Sequence, residues 1–356
     1  MLPSSMKAVR FYKFGEPSVL QYMDAPLPEI GDDDVLIKVK ATSVNRFDLK
    51  MRRGQIPQIP GRDPFPMPFQ PGRDVAGEVA AVGAKVSRFK EGDRVVGMTH
   101  PACGQCDNCL RGLDNLCTNI RLPGHQLPGA YAEYVSRRES EVLPAPNGVS
   151  YEKLGSCLWS YAAAWNIISR RGKLRAGQSV LITGASGGMG TATIQLARLV
   201  GVSKIFATTG SPAKVEPLKK LGVDHVVDYQ DADAPTQIKS MTGGKGVDLV
   251  IDFVGGDIFV FGLKCLRMSG TIVLVAGEEA ESSIPLRMLS VMLLHTHVNI
   301  LGARSAKRID DKIVLELLGE GKIDPVIDQV LPLSEAVKAH EILENQQQLG
   351  RIVLVP

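Results

Sequence analysis

The 356-residue sequence has no apolar run approaching the roughly 18 residues of a membrane span. Its start, MLPSSMKAVRFYKFG, carries neither the apolar stretch nor the cleavage site of a secretory signal. These two absences predict a cytoplasmic protein. A basic block is also missing, since 41 Lys and Arg against 38 Asp and Glu leave a net charge of +3 spread along the chain. Neither nucleic acid nor an anionic membrane is therefore an expected partner. No internal repeat, heptad array or low-complexity tract is present, which excludes solenoids and long coiled coils. Cysteines number only six; Cys157 and Cys265 stand alone, and the other four crowd into fifteen positions.

What is there reads as two globular domains. Hydrophobic residues make up 44% and charged residues 22%, and the chain is longer than one core usually supports. The first 150 residues hold short apolar segments, MKAVRFY, VLIKVKA, VAGEVAAV, DRVVGM and AYAEYV, separated by Gly, Pro and Asp. That pattern predicts a strand-rich, barrel-like domain. Within it the Pro-rich stretch from Ile56 to Pro71 cannot be helical and is expected to be a loop, a candidate cover for an active site. From Tyr151 a long helical segment, YEKLGSCLWSYAAAWNIISRRG, leads into six apolar runs, SVLITG, KIFATTG, HVVDY, VDLVIDFV, GTIVLVAG and VNILGAR, that alternate with amphipathic stretches. Strands alternating with helices predict an α/β fold with a doubly wound, six-stranded parallel sheet. The last fifty residues hold two helical patterns and a terminal strand, RIVLVP, too little for a third domain, and are expected to return to the first.

The cofactor signal is SVLITGASGGMGTATIQLARLVG, an apolar strand running into Gly184, Gly187, Gly188 and Gly190 and then into a helix. Side chains at these positions would block the tight turn and keep the backbone from a pyrophosphate, which the helix N-terminus then meets with amide donors. Ser186 and Met189 belong to the same turn, and Val254 and Gly277, at the ends of VDLVIDFV and GTIVLVAG, complete the candidate cofactor contacts. NAD enzymes place an acid at the end of the second strand to bond the ribose 2′-hydroxyl. Here that strand ends in Thr209, nineteen positions after Gly190, followed by Gly210, Ser211 and Lys214. Hydroxyls, an open backbone and a cation suit a 2′-phosphate, so NADP(H) is expected; a polar turn with a solvated Lys214 is the alternative.

The metal signal is CGQCDNCLRGLDNLC, whose Cys103, Cys106, Cys109 and Cys117 follow a C-x2-C-x2-C-x7-C spacing. Four thiolates close a tetrahedron around zinc and leave no position for substrate, so one structural Zn2+ is expected in place of disulfides or free thiols.

The glycine turn, the four-cysteine lobe and their order resemble the medium-chain dehydrogenase/reductase superfamily, which includes zinc alcohol dehydrogenases and quinone oxidoreductases. The resemblance covers nearly the whole chain. It implies a GroES-like catalytic domain over residues 1–152 and 303–356, a Rossmann NADP(H)-binding domain over 153–302, and an active site in the cleft between them. Alcohol dehydrogenases of this superfamily take a catalytic zinc from a Cys in C-x-x-D, a His in G-H-E and a later Cys or acid. This chain has Asn45-Arg46-Phe47-Asp48 at the first place, Gly72-Arg73-Asp74 at the second and Trp159 at the third, with Cys157 two residues off. No catalytic zinc is therefore expected, and the N-x-x-D and G-x-D-x-A-G variants look like the quinone and enone reductase branch.

By the same resemblance Asn45 and Asp48 border the nicotinamide, although such an Asp also serves as a helix cap or as a partner of a basic residue. Tyr229 resembles part of that branch's NADPH pocket. Arg46 and Arg351 match basic positions near the cofactor, with surface ion pairs as their alternative. The implied activity is NADP(H)-dependent hydride transfer to activated alkenes or quinones. An alcohol dehydrogenase or carbonyl reductase is the second reading, and a non-enzymatic NADPH-binding protein the third. The expected partners are a small-molecule substrate and further copies of the chain, as a homodimer or homotetramer joined through the last Rossmann strand, about Val298 to Arg304.

Overall fold

The computed structural model of the chain describes residues 2–55, 66–277 and 284–356. It divides into two compact units, Met1–Ala162 with Ala306–Pro356, and Ala163–Ser305. The C-terminal tail thus belongs to the first unit. Most of the Pro-rich stretch, residues 56–65, lies outside the described residues. The rest of it includes Phe69, which bridges to Phe11.

The first unit begins with β1 (Ser5–Arg10) and β2 (Gln21–Pro26), an antiparallel pair. The eleven-residue β3 (Asp34–Val44) runs into helix α1 (Arg46–Arg53) and is followed by β4 (Val75–Val82), β5 (Arg94–Gly97), β6 (Tyr134–Arg138) and β7 (Val142–Pro144). The second unit holds β8 (Ser179–Ile182), β9 (Lys204–Thr208), β10 (His225–Val227), β11 (Val247–Asp252), β12 (Leu266–Leu274) and β13 (Asn299–Gly302). Back in the first unit come β14 (Ile327–Pro332) and β15 (Arg351–Val355).

In the first unit a seven-stranded sheet has the order β14-β15-β3-β4-β5-β7, with β6 also paired to β3. Alternation along β3 sends Val35, Ile37 and Val39 into a core shared with Val75, Val79, Val95 and Val135. Strand β15 pairs antiparallel with the end of β3, Ile352 opposite Val44, and so brings Arg351 to the place where β3 hands over to α1. Strand β14, IDQVLP, has no alternation that would mark it in the sequence, and it forms by parallel pairing with β15.

The six strands of the second unit are all parallel, in the order β10-β9-β8-β11-β12-β13. This is the doubly wound arrangement expected from the alternating apolar runs, with the order reversing beside β8. Leu181, Phe206, Val250 and Ile272 from adjacent strands pack with Phe259, Phe261 and Leu263 of helix Asp257–Cys265. The segment expected as one long helix from Tyr151 is broken instead. A single α-turn, Tyr151–Leu154, is followed by wider π-turns at Leu158–Ala162 and Asn166–Arg171, with Ala163–Trp165 between them. Its apolar residues lie all round, so the pattern carries no single face from which a helical period could be read.

Candidate active site and metal lobe

The end of β3 places Asn45 as the N-cap of α1. Asp48 sits one turn in, and its Oδ2 accepts the Asn45 N–H at 2.8 Å. The Asn45 side chain donates from Nδ2 to the Ser43 carbonyl at 3.2 Å and to Asp74 Oδ2 at 3.1 Å. Its Oδ1 is buried without a hydrogen-bond partner among the described residues. Asp74 collects further donors: Ser43 Oγ at 2.7 Å, the Trp159 N–H at 3.0 Å and Arg351 Nη2 at 2.9 Å. The Arg351 guanidinium also donates to Ser43 and is buried. Arg46, the first residue of α1, is exposed.

Arg73 follows Gly72 after the Pro-rich stretch and is 2% exposed. Its guanidinium carbon stands 4.1 Å from the Phe47 ring centroid and 4.7 Å from that of Trp159, and Nε donates to the Pro123 carbonyl at 3.1 Å. His100 stacks on Trp159 at 5.1 Å and His125 meets Phe47 edge-on at 5.7 Å. The three side chains at the positions the resemblance assigns to catalytic zinc are therefore an amide, a guanidinium and an indole. Arginine has donors only and tryptophan offers one N–H, so the set does not fit a metal ion.

Asp48 is almost fully buried, and burial pushes its carboxyl up to about 6, against the Asn45 and Gly72 amides and the Arg73 charge, which favour the ionised form. Tyr131, from the segment before β6, faces it; burial above all, and then the Asp48 charge, raise the phenol well above its ordinary range. Behind Tyr131 lies His340, held neutral at about 3 by burial and by the Arg52 charge. Sequence reasoning missed Arg52, Tyr131 and His340. Their spacing carries no signal, because contacts of 209 and 288 residues in separation join them.

In the second unit the glycine turn follows β8 and opens helix Gly188–Val200, capped by Gly187. A Cβ on Gly190 would stand 2.5 Å from the Ala185 backbone, so only glycine lets this helix pack onto the turn. The first-turn amides of Gly188, Met189 and Gly190 have no intrahelical acceptor, as in any helix start, and suit a phosphate group. At the end of β9 the Ser211 N–H donates to Thr209 Oγ1 at 3.1 Å, which shapes the turn. Lys214 reaches back to Ser186 Oγ at 3.4 Å, and Tyr229 lies across Gly210, where a Cβ would come within 2.9 Å of its hydroxyl. The structure thus gathers Ser186, Gly210, Lys214 and Tyr229 beside the glycine turn.

Two residues overlooked in the sequence fix the neighbouring strand ends. Thr183 Oγ1 donates to Asp252 Oδ1 at 2.5 Å, and that carboxylate also accepts the Val254 and Gly255 amides. Val254 is thereby held against Gly184, whose Cβ would lie 3.2 Å from it, and Gly255 crosses Gly277 closely enough that a Cβ would stand 2.3 Å from the Gly277 Cα.

The four clustered cysteines of the first unit converge, with all ligand atoms within 4.8 Å of one another and no disulfide among them. Sγ–Sγ distances of 3.5 Å for Cys106–Cys109 and 3.9 Å for Cys103–Cys109 and Cys106–Cys117 match a tetrahedron. With metal–sulfur bonds of about 2.3 Å its edges are about 3.8 Å. They form the one such cluster among the described residues. Lys307 Nζ donates to the Gly112 carbonyl at 2.6 Å and the Arg308 N–H to Asp114 Oδ2 at 2.7 Å, which ties the lobe to helix Arg308–Gly319.

Residues 31–147 match the alcohol dehydrogenase GroES-like domain, and residues 188–320 match the zinc-binding dehydrogenase family. An NAD-dependent alcohol dehydrogenase of Sulfolobus acidocaldarius is 32% identical over 98% of this chain and 99% of its own. A quinone oxidoreductase of Rattus norvegicus is 29% identical over 98% of each. A solved NAD-dependent alcohol dehydrogenase superposes with a TM-score of 0.92 at 34% identity, covering 99% of this chain and all of that one. With the six-stranded parallel sheet, the GroES-like unit and end-to-end similarity to both kinds of enzyme, the chain belongs to the medium-chain dehydrogenase/reductase superfamily of oxidoreductases.

Proposed function

We propose that this oxidoreductase uses NADPH to reduce activated alkenes or quinones, without a metal at the reacting centre. The observation that carries the reading is the Arg73 guanidinium, packed against both the Phe47 and Trp159 rings at a position where the superfamily's alcohol dehydrogenases supply a zinc ligand. Bound NADPH supplies the hydride. When hydride adds to the carbon of an enone or quinone, negative charge spreads onto an oxygen, and a guanidinium is the side chain suited to it. Alcohol oxidation asks for more, because the hydroxyl proton must leave. Zinc lowers the pKa of bound water from 15.7 to about 7, roughly 12 kcal/mol. Single donors in an oxyanion hole supply about 3–4 kcal/mol.

Ser186, Lys214 and Tyr229 would hold the 2′-phosphate, and the amides of Gly188, Met189 and Gly190 the pyrophosphate. Cys103, Cys106, Cys109 and Cys117 would hold one structural zinc. The relatives named as NAD-dependent alcohol dehydrogenases favour a second reading, alcohol or carbonyl chemistry with NAD. A panel of enones, quinones, aldehydes and alcohols, offered with each cofactor, separates the two. Turnover of enones or quinones with NADPH is expected. Efficient oxidation of simple alcohols with every enone and quinone ignored would replace this reading by the second, and no turnover at all would favour a binding protein.

A further inference from the structure

Helix α1 carries two buried charged side chains four residues apart, Asp48 and Arg52, on one face. Arg52 donates from Nε to the Gly15 carbonyl at 2.9 Å and from Nη2 to the Glu344 carboxylate. Its Nη1 lies 3.2 Å from Nδ1 of His340, on helix Ala336–Glu344. A guanidinium has no acceptor, so Nδ1 of His340 must accept. The imidazole is held neutral, and its one ring proton therefore sits on Nε2. Nε2 is 3.3 Å from the Tyr131 hydroxyl oxygen, which then accepts, and the phenol's own proton is left for the Asp48 carboxylate that it faces. Every donor in the chain points the same way, from Arg52 through His340 and Tyr131 to Asp48.

We propose that Tyr131 and His340 are positioning residues that hold Asp48 as an oriented carboxylate near the Arg73 guanidinium. Protons are not conducted along this chain, because Arg52 cannot accept one. Its effect is on charge. Around Asp48, burial above all and then Asp74 oppose the ionised form, while the Asn45 amide, the Arg73 charge and the Gly72 amide favour it, and Asp74 is itself engaged by Arg351. The Tyr131 hydroxyl adds a further uncharged donor to those two amides. With Asp48 ionised, the buried Arg73 cation has a nearby counter-charge; with Asp48 protonated it loses that charge, and the cluster around the reacting centre changes by one unit.

The proposal rests on the preceding reading only where Arg73 serves the reacting oxygen; the titration of Asp48 is independent of substrate. The test compares Tyr131→Phe, His340→Gln and His340→Leu with the unaltered protein. Asp48 is followed by carbon NMR of labelled aspartate, assigned with Asp48→Asn, and kcat/KM is followed against pH with NADPH. Loss of the Tyr131 donor should move the Asp48 titration upward by about one unit, the size of a hydrogen bond to a charged group. The acid limb of kcat/KM should move with it. His340→Leu should act in the same direction, whereas His340→Gln, whose amide offers an acceptor and a donor, should stay nearer the unaltered protein. An Asp48 titration unmoved in Tyr131→Phe, equal shifts for Gln and Leu, or a pH profile that ignores a moved titration would overturn the proposal. If His340→Leu does not fold, Tyr131→Phe, which removes one oxygen, decides alone. Failure of every enone and quinone as acceptor, with the titration still shifted, would count against the substrate reading and leave the carboxylate assignment standing.

Discussion

Arg351 donates to Asp74 across 2.9 Å, joining the last strand of the chain to the segment after the Pro-rich stretch, with both side chains buried. The pair closes the first unit: β15 carries Arg351, and Asp74 in turn holds Ser43, Asn45 and the Trp159 amide. Breaking a buried pair from one side leaves an uncompensated charge and costs about 3–5 kcal/mol. Arg351→Ala should fall at the lower end, about 3 kcal/mol, because three other donors to Asp74 remain. A lowered urea midpoint at unchanged slope checks this. A loss below about 1 kcal/mol would show that the pair contributes little net stability.

Lys214 reaching Ser186 beside the glycine turn leads to a prediction about cofactor choice. Lys214→Ala removes one charge-assisted contact, worth about 1.5–3 kcal/mol, or roughly 10- to 150-fold in NADPH affinity. NADH affinity should barely change. Fluorescence titration of both cofactors measures it, and equal affinities of the unaltered protein for the two would remove the basis for NADPH.

The second unit and the metal lobe were legible in the sequence because their signals are local. Six apolar runs with helical stretches between them gave each strand of the parallel sheet, and one fifteen-residue segment holds all four cysteines. The candidate active site was only half legible. Asn45 and Asp48 stand out by resemblance, but the contacts of the Arg73 guanidinium with Phe47 and Trp159 join segments distant in the chain, and the path from Arg52 through His340 to Tyr131 arises only when the C-terminal helix folds back. The same long-range pairing made β14, which lacks a local pattern, and it gives Arg351 the partners Asp74 and Ser43, which no local signal in the sequence marks.

The cysteine lobe should carry one zinc per chain. Metal analysis of the purified protein reads this directly: a well-folded sample without zinc would refute it, and two per chain would revive a catalytic site. Because Lys307 and Arg308 bond to the lobe at Gly112 and Asp114, stripping the metal should also raise amide exchange at the start of helix Arg308–Gly319.

Strand β13 ends the parallel sheet, and helix Leu286–Thr296 before it has no buried residue, with Leu286 and Leu294 exposed to 76% and 70%. An edge strand that pairs with no further strand among the described residues, beside apolar side chains, invites pairing with a second copy through the same surface. A dimer is expected by sedimentation at micromolar concentration, and Leu294→Lys should weaken it. A stable monomer would contradict the assignment of this face.

The last prediction concerns the reaction and turns on what Arg73 can do for an oxygen that gains charge. A guanidinium keeps its charge at any working pH, and it rests against Phe47 and Trp159 with Nε bonded to the Pro123 carbonyl, so the cation is held in place before reaction begins. Removing a preorganised donor of this kind costs about 10²–10³ in rate. Arg73→Ala should therefore reduce kcat for enone or quinone reduction by roughly that factor, with NADPH affinity little changed. Arg73→Lys keeps the charge but not the planar stacking, and should recover part of the loss. Asn45→Ala should lower the rate less, because it removes one neutral amide whose free Oδ1 accepts and whose Nδ2 is engaged by Ser43 and Asp74. Chelation of loosely bound metal should leave the rate intact, since the amide, guanidinium and indole at the family's zinc positions offer no ligand set. If Arg73→Ala reduces enones as fast as the unaltered enzyme, the guanidinium is structural and the charge on oxygen is stabilised elsewhere. If a chelator abolishes the rate while the cysteine lobe keeps its zinc, the reaction runs through a metal, and the alcohol dehydrogenase reading takes its place.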